Sequence, residues 1–556
     1  MNATTAVPKA DNRPESSFAP KLISQFQEGY GLSAFRADAI AGLTVAIVAL
    51  PLSMAIAIAS HVSPDKGLFT AIIGGFIISA LGGSRFQIGG PAGAFIVVIA
   101  SIVDREGFDG LLLATLMAGV IVFLVGAFKL GSYIKYVPHP VTVGFTSGIA
   151  IIIFASQIKE LLGLKLPGAE PGALLPKLQM LWQALPSFNA QAFAVAAGTI
   201  AIILVFRKWR PRWPGFLIAV VLTSVVAYLF HFDAETIASR FGGIPRSLPA
   251  PHLPVFDLNK IMNLLPDALT IALLGSIESL LSAVVADSMS GRRHRSNTEL
   301  VAQGIANIFC ALFGGIVATG TIARTATNVR AGAHGPMAGI LHSVFLLIFM
   351  IVAAPLAGFI PLAALAGILA VVCWNMAEKA EFKSLLTASR GEAAVLLVTF
   401  LLTVFKDLTT GIVVGVTLGA LVFMHRMANA VTVQKVEDED DPDSEIIVQH
   451  VSGAFFFGAA STVAATLERI DGAPKGFILD FANVPFVDYS AAHALHGFLN
   501  KAQKLNARVF LTGASVHVRR ELIRFGIKKP TVGYGHSIAD CKHAIRHGLE
   551  IDEVHE

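Results

Sequence analysis

Apolar runs long enough to cross a membrane recur along this chain, and they restrict its fold more than any other feature. A spanning helix takes about 20 mostly apolar residues. In lipid every backbone N–H and C=O must find a partner inside the protein, which leaves α-helices or a closed barrel. Runs at 39–60, 68–81, 89–103, 111–128, 141–162, 190–206 and 216–230 are followed by a polar, Pro-rich stretch at 231–263. A second series follows at 265–288, 300–317, a polar segment, 337–354, 356–375, 393–405 and 408–424. Of the 556 residues, 54% are hydrophobic and 14% are charged, against about 25% charged in soluble domains. The chain therefore reads as an all-α polytopic membrane protein of about 14 segments, seven in each half.

Two segments break the apolar pattern. Gly314 to Ala331 reads GGIVATGTIARTATNVRA, with four threonines, an asparagine and two arginines where hydrocarbon is expected. Gly82 to Phe95 reads GGSRFQIGGPAGAF. Non-helical or polar backbone at membrane depth is tolerated only where protein covers it or a wet cavity borders it. Short Gly- and Pro-interrupted segments at matching places in two halves point to a transporter's binding site. Asp38 and Gly90 lie 52 positions apart, as do Asp267 and Thr319, so the two irregular segments sit equally deep in their halves. An odd number of passes per half makes such repeats inverted.

Glu278 stands in a spanning run, with ten uncharged residues between it and Asp267. An acid there is costly and marks function; the competing role is a carboxylate satisfied by a structural partner such as Arg324. Ser282 follows four residues later on the same helix face, so the pair suits a proton or a cation beside a substrate. Arg324 attracts an anion, Thr319, Thr321 and Thr325 offer hydroxyls, and Gly320 lets a ligand approach the backbone. A half-helix beginning here would point free N–H groups and its positive dipole end at that anion. Pro91 at a helix start costs no hydrogen bond. Close helix packing is the competing role for the glycines. Pro51 kinks the first helix, turning Ser53 and Met54 toward the substrate. Arg85 and Arg330 read as anchors, and Gln303, Asn307 and His342 as interhelical hydrogen-bonding groups.

The remaining features exclude other classes. A net charge of +4 without a basic stripe gives no nucleic-acid footprint. Cys310, Cys373 and Cys541 are scattered, with neither zinc nor disulfide spacing, so no metal or cofactor is expected. No catalytic constellation appears, so the chain is not expected to be an enzyme. No apolar h-region with a cleavage site stands ahead of the first long run, so no signal peptide is expected. Lys and Arg clusters in the N-terminal tail (Lys9, Arg13, Lys21, Arg36) and at 207–212, 292–295 and 379–390 fall on one side. That side is cytoplasmic by the positive-inside rule, which puts both termini in the cytoplasm of a multi-pass protein of the cell (inner) membrane. The acidic run 437–443 is a solvated spacer. Beyond it, strands at 446–451, 454–457, 476–480 and 508–512 alternate with helices at 459–469, 491–505 and 516–525, and 541–548 closes the chain, a small α/β domain. Ser490, at a strand-to-helix turn, reads as an N-cap or as a phosphorylation site.

These stretches resemble the SulP family of anion transporters, the sulfate-permease and solute-carrier-26 type. DAIAGLTVAIVALPLSMAIAIASHVSP (38–64), GGSRFQIGGPAGAF (82–95), VGFTSGIAIII (143–153), SIESLLSAVVAD (276–287) and ATGTIARTATNVRAGA (318–333) look like its first, third, fifth, eighth and tenth segments. The tail resembles the STAS domain, most clearly in DFANVPFVDYSAAHAL (480–495). The resemblance implies a 7+7 inverted repeat with core and gate domains, a homodimer and an elevator-type motion. It divides the chain into a cytoplasmic segment (1–38), a transport domain (39–426, halves 39–231 and 264–426), an acidic linker (427–445) and a STAS domain (446–556). It places the anion between the backbones of Pro91, Ala92, Gly93, Ala94 and Phe95 and those of Gly320, Thr321 and Ile322, to which the residues themselves add Thr319 and Arg324 as substrate ligands. Sodium-coupled bicarbonate carriers of the family use an aspartate and a threonine where Glu278 and Ser282 stand, and Ile322 replaces a hydroxyl that would help sodium. A co-transported proton is therefore expected rather than sodium. Tyr489 and Ala491 depart from the residues that flank the phosphorylated serine of anti-sigma antagonists.

The expected function is proton-coupled uptake of sulfate, with a small anion and membrane lipid as partners and a cytoplasmic protein as a partner of the STAS domain. A C4-dicarboxylate such as succinate or fumarate, or bicarbonate, is the alternative substrate. An anion channel, or a sensor signalling through the STAS domain, is the alternative class.

Overall fold

A computed structural model describes residues 18–131, 137–168, 170–210, 213–436, 445–458, 460 and 474–548. The acidic run 437–443, the helix expected at 459–469 (Ala460 apart), and Lys9, Arg13 and Arg212 lie outside the described residues. The chain divides into two compact units, Met1–Val416 and Thr417–Glu556.

The first unit is helical, and among all the described residues nine helical spans are long and apolar enough to cross a membrane, the last, Leu408–Asn429, running on into the second unit. It opens with α1 (Lys21–Glu28) and α2 (Leu32–Ala59). The second span combines α3 (Pro64–Phe69), a π-helical turn at Thr70–Gly74 and α4 (Gly75–Leu81). The widened turn sits where the Thr70 hydroxyl accepts the Ile316 N–H at 2.7 Å, and such turns recur at functional sites. After β1 (Gly89–Gly90) and a 3-10 turn at Gly93–Phe95 comes α5 (Ile96–Ala127). Gly107, at φ +72°, breaks α5 into two helices. The half ends with α6 (His139–Leu162), α7 (Leu174–Ala184), α8 (Ala190–Trp209) and α9 (Gly215–Leu229).

After the short α10 (Ile237–Phe241), the second half holds α11 (Leu258–Ser290), α12 (Ser296–Leu312), β2 (Thr319–Gly320) and α13 (Ile322–Arg330). Then come α14 (Met337–Ala357), α15 (Leu362–Met376), α16 (Lys379–Ala388), α17 (Arg390–Phe405) and α18 (Leu408–Asn429). The helices form two groups. In one, α5 packs on α11 and α12, and α14 packs on α2; in the other, α6 packs on α15 and α17, and α8 on α9 and α15. Small residues permit the close approach: a Cβ on Gly119 of α5 would lie 2.9 Å from the Gly304 carbonyl of α12.

Two helices begin earlier than their apolar runs. Nothing after Gly31 breaks α2, so Asp38 lies inside it, fully buried. Asp38 accepts the Tyr30 hydroxyl at 2.6 Å and the Gly335 N–H at 3.1 Å. Asp257 caps α11 by accepting the Asn259 N–H, and the helix runs on through Pro266. Asp267 thus sits mid-helix, paired with Arg105 at 2.8 Å.

The second unit is a five-stranded sheet in the order β3 (Thr432–Val436), β4 (Ile446–Ser452), β5 (Gly476–Asn483), β6 (Arg508–Thr512), β7 (Gly533–Gly535). β3 is antiparallel to β4, and the rest are parallel. The helices are α19 (Tyr489–Lys504), α20 (Val516–Arg524) and α21 (Ile538–His547). Phe477 of β5 meets Phe498 of α19 edge-on in the core, with centroids 5.1 Å apart. The strand expected at 454–457 reduces to one bridge, Phe455 with Val487, because Gly453 at φ +100° turns the chain out of the sheet. Thr432–Val436, read as linker from its charged surroundings, pairs with β4 instead.

Candidate functional site

The two irregular segments meet. β1 and β2 form an antiparallel pair with Gly89 opposite Gly320 and Gly90 opposite Thr319. Gly90 and Thr319, the ends of the two equal 52-residue offsets, are thus paired in register. Each strand is followed at once by a helix start: the 3-10 turn into α5 after Ala92, and α13 after Thr321. Neither Ala92 nor Thr321 caps its helix with a side chain. The first N–H groups of a helix have no partner within it, so both starts present donors and a positive dipole end.

Arg324 lies in the first turn of α13 and is 1% exposed. Its Nη2 donates to Ser53 Oγ at 3.2 Å and to the Pro91 carbonyl at 3.3 Å. Its Nε and Nη1 have no hydrogen-bond partner. A Cβ on Gly90 would strike Nη1, so only glycine leaves room for the guanidinium beside β1. On α11, Glu278 carries a buried Oε2 without a partner. Its charge and that of Arg324 interact, yet among the described residues no ion pair within 4.0 Å joins them. Arg324 thus spends its hydrogen bonds on Ser53 and Pro91 rather than on Glu278.

Several expected ligands have other work. Ser282 donates to Thr325 Oγ1 at 3.0 Å, and Thr325 Oγ1 accepts the Ile88 N–H at 3.1 Å, so this pair holds β1 in place. Thr319 donates to the Gly275 carbonyl at 3.1 Å, and the Thr321 N–H reaches the Ile88 carbonyl at 3.0 Å. Phe95 is fully buried, whereas Ile322 is 37% exposed. Arg85 is an anchor, paired with Glu28 of α1. Asn307 ties α12 to the stretch before β2, donating to the Ala318 carbonyl and accepting the Ala318 N–H. Gln303 bonds Glu299 of its own helix rather than another, and both His342 ring nitrogens are without a hydrogen bond. Ser490 is exposed, but it is not the cap: Asp488 caps α19, accepting the Ala491 N–H at 2.8 Å. Among the described residues no three His, Cys, Asp or Glu side chains are grouped to hold a metal ion.

The apolar pattern alone conceals three contributors. Gln87, Glu299 and Asn328 are buried, and Asn328 donates to the Phe86 carbonyl at 2.9 Å. Their signal is a polar residue inside the irregular segment or on an otherwise apolar face. Met376, at the end of α15 in the other helix group, reaches Gly93: a Cβ there would lie 3.2 Å from its Sδ.

Residues 35–399 match the sulfate permease family, and residues 438–532 match the STAS domain. The chain is 42% identical over 506 residues to a Bacillus subtilis (strain 168) protein named "Putative sulfate transporter YvdB", covering 90% of this chain and 95% of that one. It is 31% identical over 520 residues to the bicarbonate transporter BicA of Picosynechococcus sp., covering 89% of this chain and 91% of that one. Its fold is that of the murine Slc26a9 anion transporter, with TM-score 0.85 and 19% identity over 95% of this chain and 94% of that one. The chain is thus a member of the sulfate permease family, a multi-pass membrane anion transporter carrying a STAS domain, and not an enzyme.

Proposed function

We propose that this transporter takes up sulfate together with protons, holding the anion between the β1 and β2 segments. The observation that carries the reading is Arg324, a buried cation with two unpartnered nitrogens between two uncapped helix starts. Glu278 supplies the coupling. When its carboxyl is protonated, the charge of Arg324 is uncompensated and the site attracts an anion. When the proton leaves, the carboxylate offsets that charge and the anion is released. The Ile322 side chain brings no oxygen where a hydroxyl would help sodium, which supports a proton.

The separate packing of the two helix groups supports an elevator-type motion of one past the other. An apolar cavity of about 500 Å³, bordered by Leu50, Met54 and Met350 of one group and Val220 of the other, offers a contact without polar bonds to break. We place the protein in the cell membrane as a homodimer with cytoplasmic termini, where Ser490 of the STAS domain is open to modification or a protein partner. Sulfate follows from the name of YvdB. Bicarbonate is the second reading, favoured by the likeness to BicA.

Purified protein in proteoliposomes with an inward proton gradient is expected to accumulate sulfate faster than bicarbonate or fumarate. Faster uptake of another anion reassigns the substrate. Anion currents that persist without a gradient indicate a channel, and absence of proton-stimulated uptake for all three defeats the coupled-carrier reading.

A further inference from the structure

Glu299 of α12 is fully buried and is not among the residues proposed to hold the anion. Its carboxylate meets N–H donors. Oε1 accepts from Gln87 Nε2 at 2.9 Å and from Gln303 Nε2 at 3.2 Å, and Oε2 accepts the Ser84 N–H at 2.9 Å. An ionised carboxylate is acceptor-only and matches such a setting. A carboxamide in its place would turn an N–H toward one of those donors. The two buried acids are thus equipped differently: Glu278 keeps an oxygen without a donor, while both oxygens of Glu299 are engaged.

Gln87 carries the consequence toward the site. It lies two residues before β1, and the acceptor-only carboxylate orients its amide nitrogen toward Glu299. The same nitrogen donates to Ser279 Oγ at 2.8 Å, and Ser279 is the neighbour of Glu278 on α11. The Gln87 amide also fills the space beside Gly320 of β2, where any Cβ would strike it. One side chain therefore touches the approach to β1, the backbone of β2 and the helix bearing Glu278, and Glu299 sets its orientation.

We propose that Glu299 is a positioning residue which, through Gln87, fixes the β1–β2 crossing and hence anion affinity, without carrying the transported proton. The inference rests on the anion site lying at that crossing. The test uses the full chain in proteoliposomes, with sulfate, bicarbonate and fumarate as probes, and hydrogen exchange of the 84–90 amides.

Glu299→Gln is expected to raise the KM for the transported anion about 10-fold with kcat within about twofold. The pH profile of uptake stays that of the unsubstituted protein, and the 84–90 amides exchange about 10-fold faster. The double variant Gln87→Glu with Glu299→Gln reverses donor and acceptor across the pair and is expected to bring both values back. Should Glu299→Gln fail to fold, Gln87→Met fills the same space without an amide and is expected to raise KM alike. An unchanged KM and unchanged exchange, a displaced pH profile, or no recovery in the double variant overturns the proposal. If the unsubstituted protein carries none of the three anions, the transport reading fails instead, and the exchange measurement alone decides the Glu299–Gln87 link.

Discussion

Replacing Arg324 by Met separates a binding role from a structural one. The guanidinium makes two hydrogen bonds, to Ser53 Oγ at 3.2 Å and the Pro91 carbonyl at 3.3 Å. Both are at the long end of the N–H···O range, so each contributes about 1 kcal/mol at most. Against that stands the desolvation of a buried cation, several kcal/mol even after relaxation, with Nε and Nη1 unpartnered. Methionine keeps the aliphatic volume and removes the charge. Folding stability is therefore expected to hold or rise by about 1 kcal/mol, leaving the unfolding midpoint of detergent-purified protein within about 3 °C. Anion binding loses at least one charge-assisted hydrogen bond, about 1.5–3 kcal/mol, so the KM for uptake is expected to rise about 10- to 100-fold. Thermal unfolding and initial rates in proteoliposomes measure the two effects on one preparation. A midpoint lowered by 10 °C or more (about 3 kcal/mol or above) with an unchanged KM would make Arg324 a strut and refute the reasoning.

Glu278→Gln removes the titrating group, so the stimulation of uptake by an inward proton gradient is expected to vanish while anion exchange at equal pH persists; retained stimulation excludes Glu278 from coupling. Gly320→Ala places a methyl group on the Gln87 amide, an overpacking of about 1–3 kcal/mol that is expected to raise the anion KM; an unaltered KM would show that Gln87 moves aside at no cost. All three cysteines are buried. Burial, then the neighbouring Asp540, pushes the Cys541 thiol up to about 11, so at pH 8 it stays protonated and unreactive. A thiol-reactive maleimide is expected to leave the native chain unlabelled and to mark three sites after unfolding; native labelling of Cys541 contradicts its placement.

The composition and the apolar runs carried the membrane class, because spanning length and the need to satisfy backbone groups in lipid are properties of single segments. The irregular segments were equally legible, since glycines, a proline and an arginine at membrane depth have few tolerable placements. The 52-residue offsets put the two segments at equal depth, and the family resemblance set their backbones on either side of one anion. Helix starts were less legible: α2 and α11 extend beyond their apolar runs into polar turns, where nothing in hydropathy marks a boundary. Thr432–Val436 hid as linker because an edge strand owes its pairing to a neighbour.

What the sequence determined by itself was the inventory: two irregular segments at equal depth, an acid on an apolar helix, and an α/β tail. Tertiary structure alone decided the partners. Arg324 bonds Ser53, 271 positions away, rather than Glu278, and Ser282 donates its hydroxyl to Thr325, 43 positions away. Gln87 reaches Glu299 across 212 positions, a link no spacing announces. The physical reason is range. Periodicity and propensity act over a turn or two of helix. A buried polar group takes whichever donor or acceptor the packing of distant segments delivers, because leaving it unmet costs more than any local preference supplies.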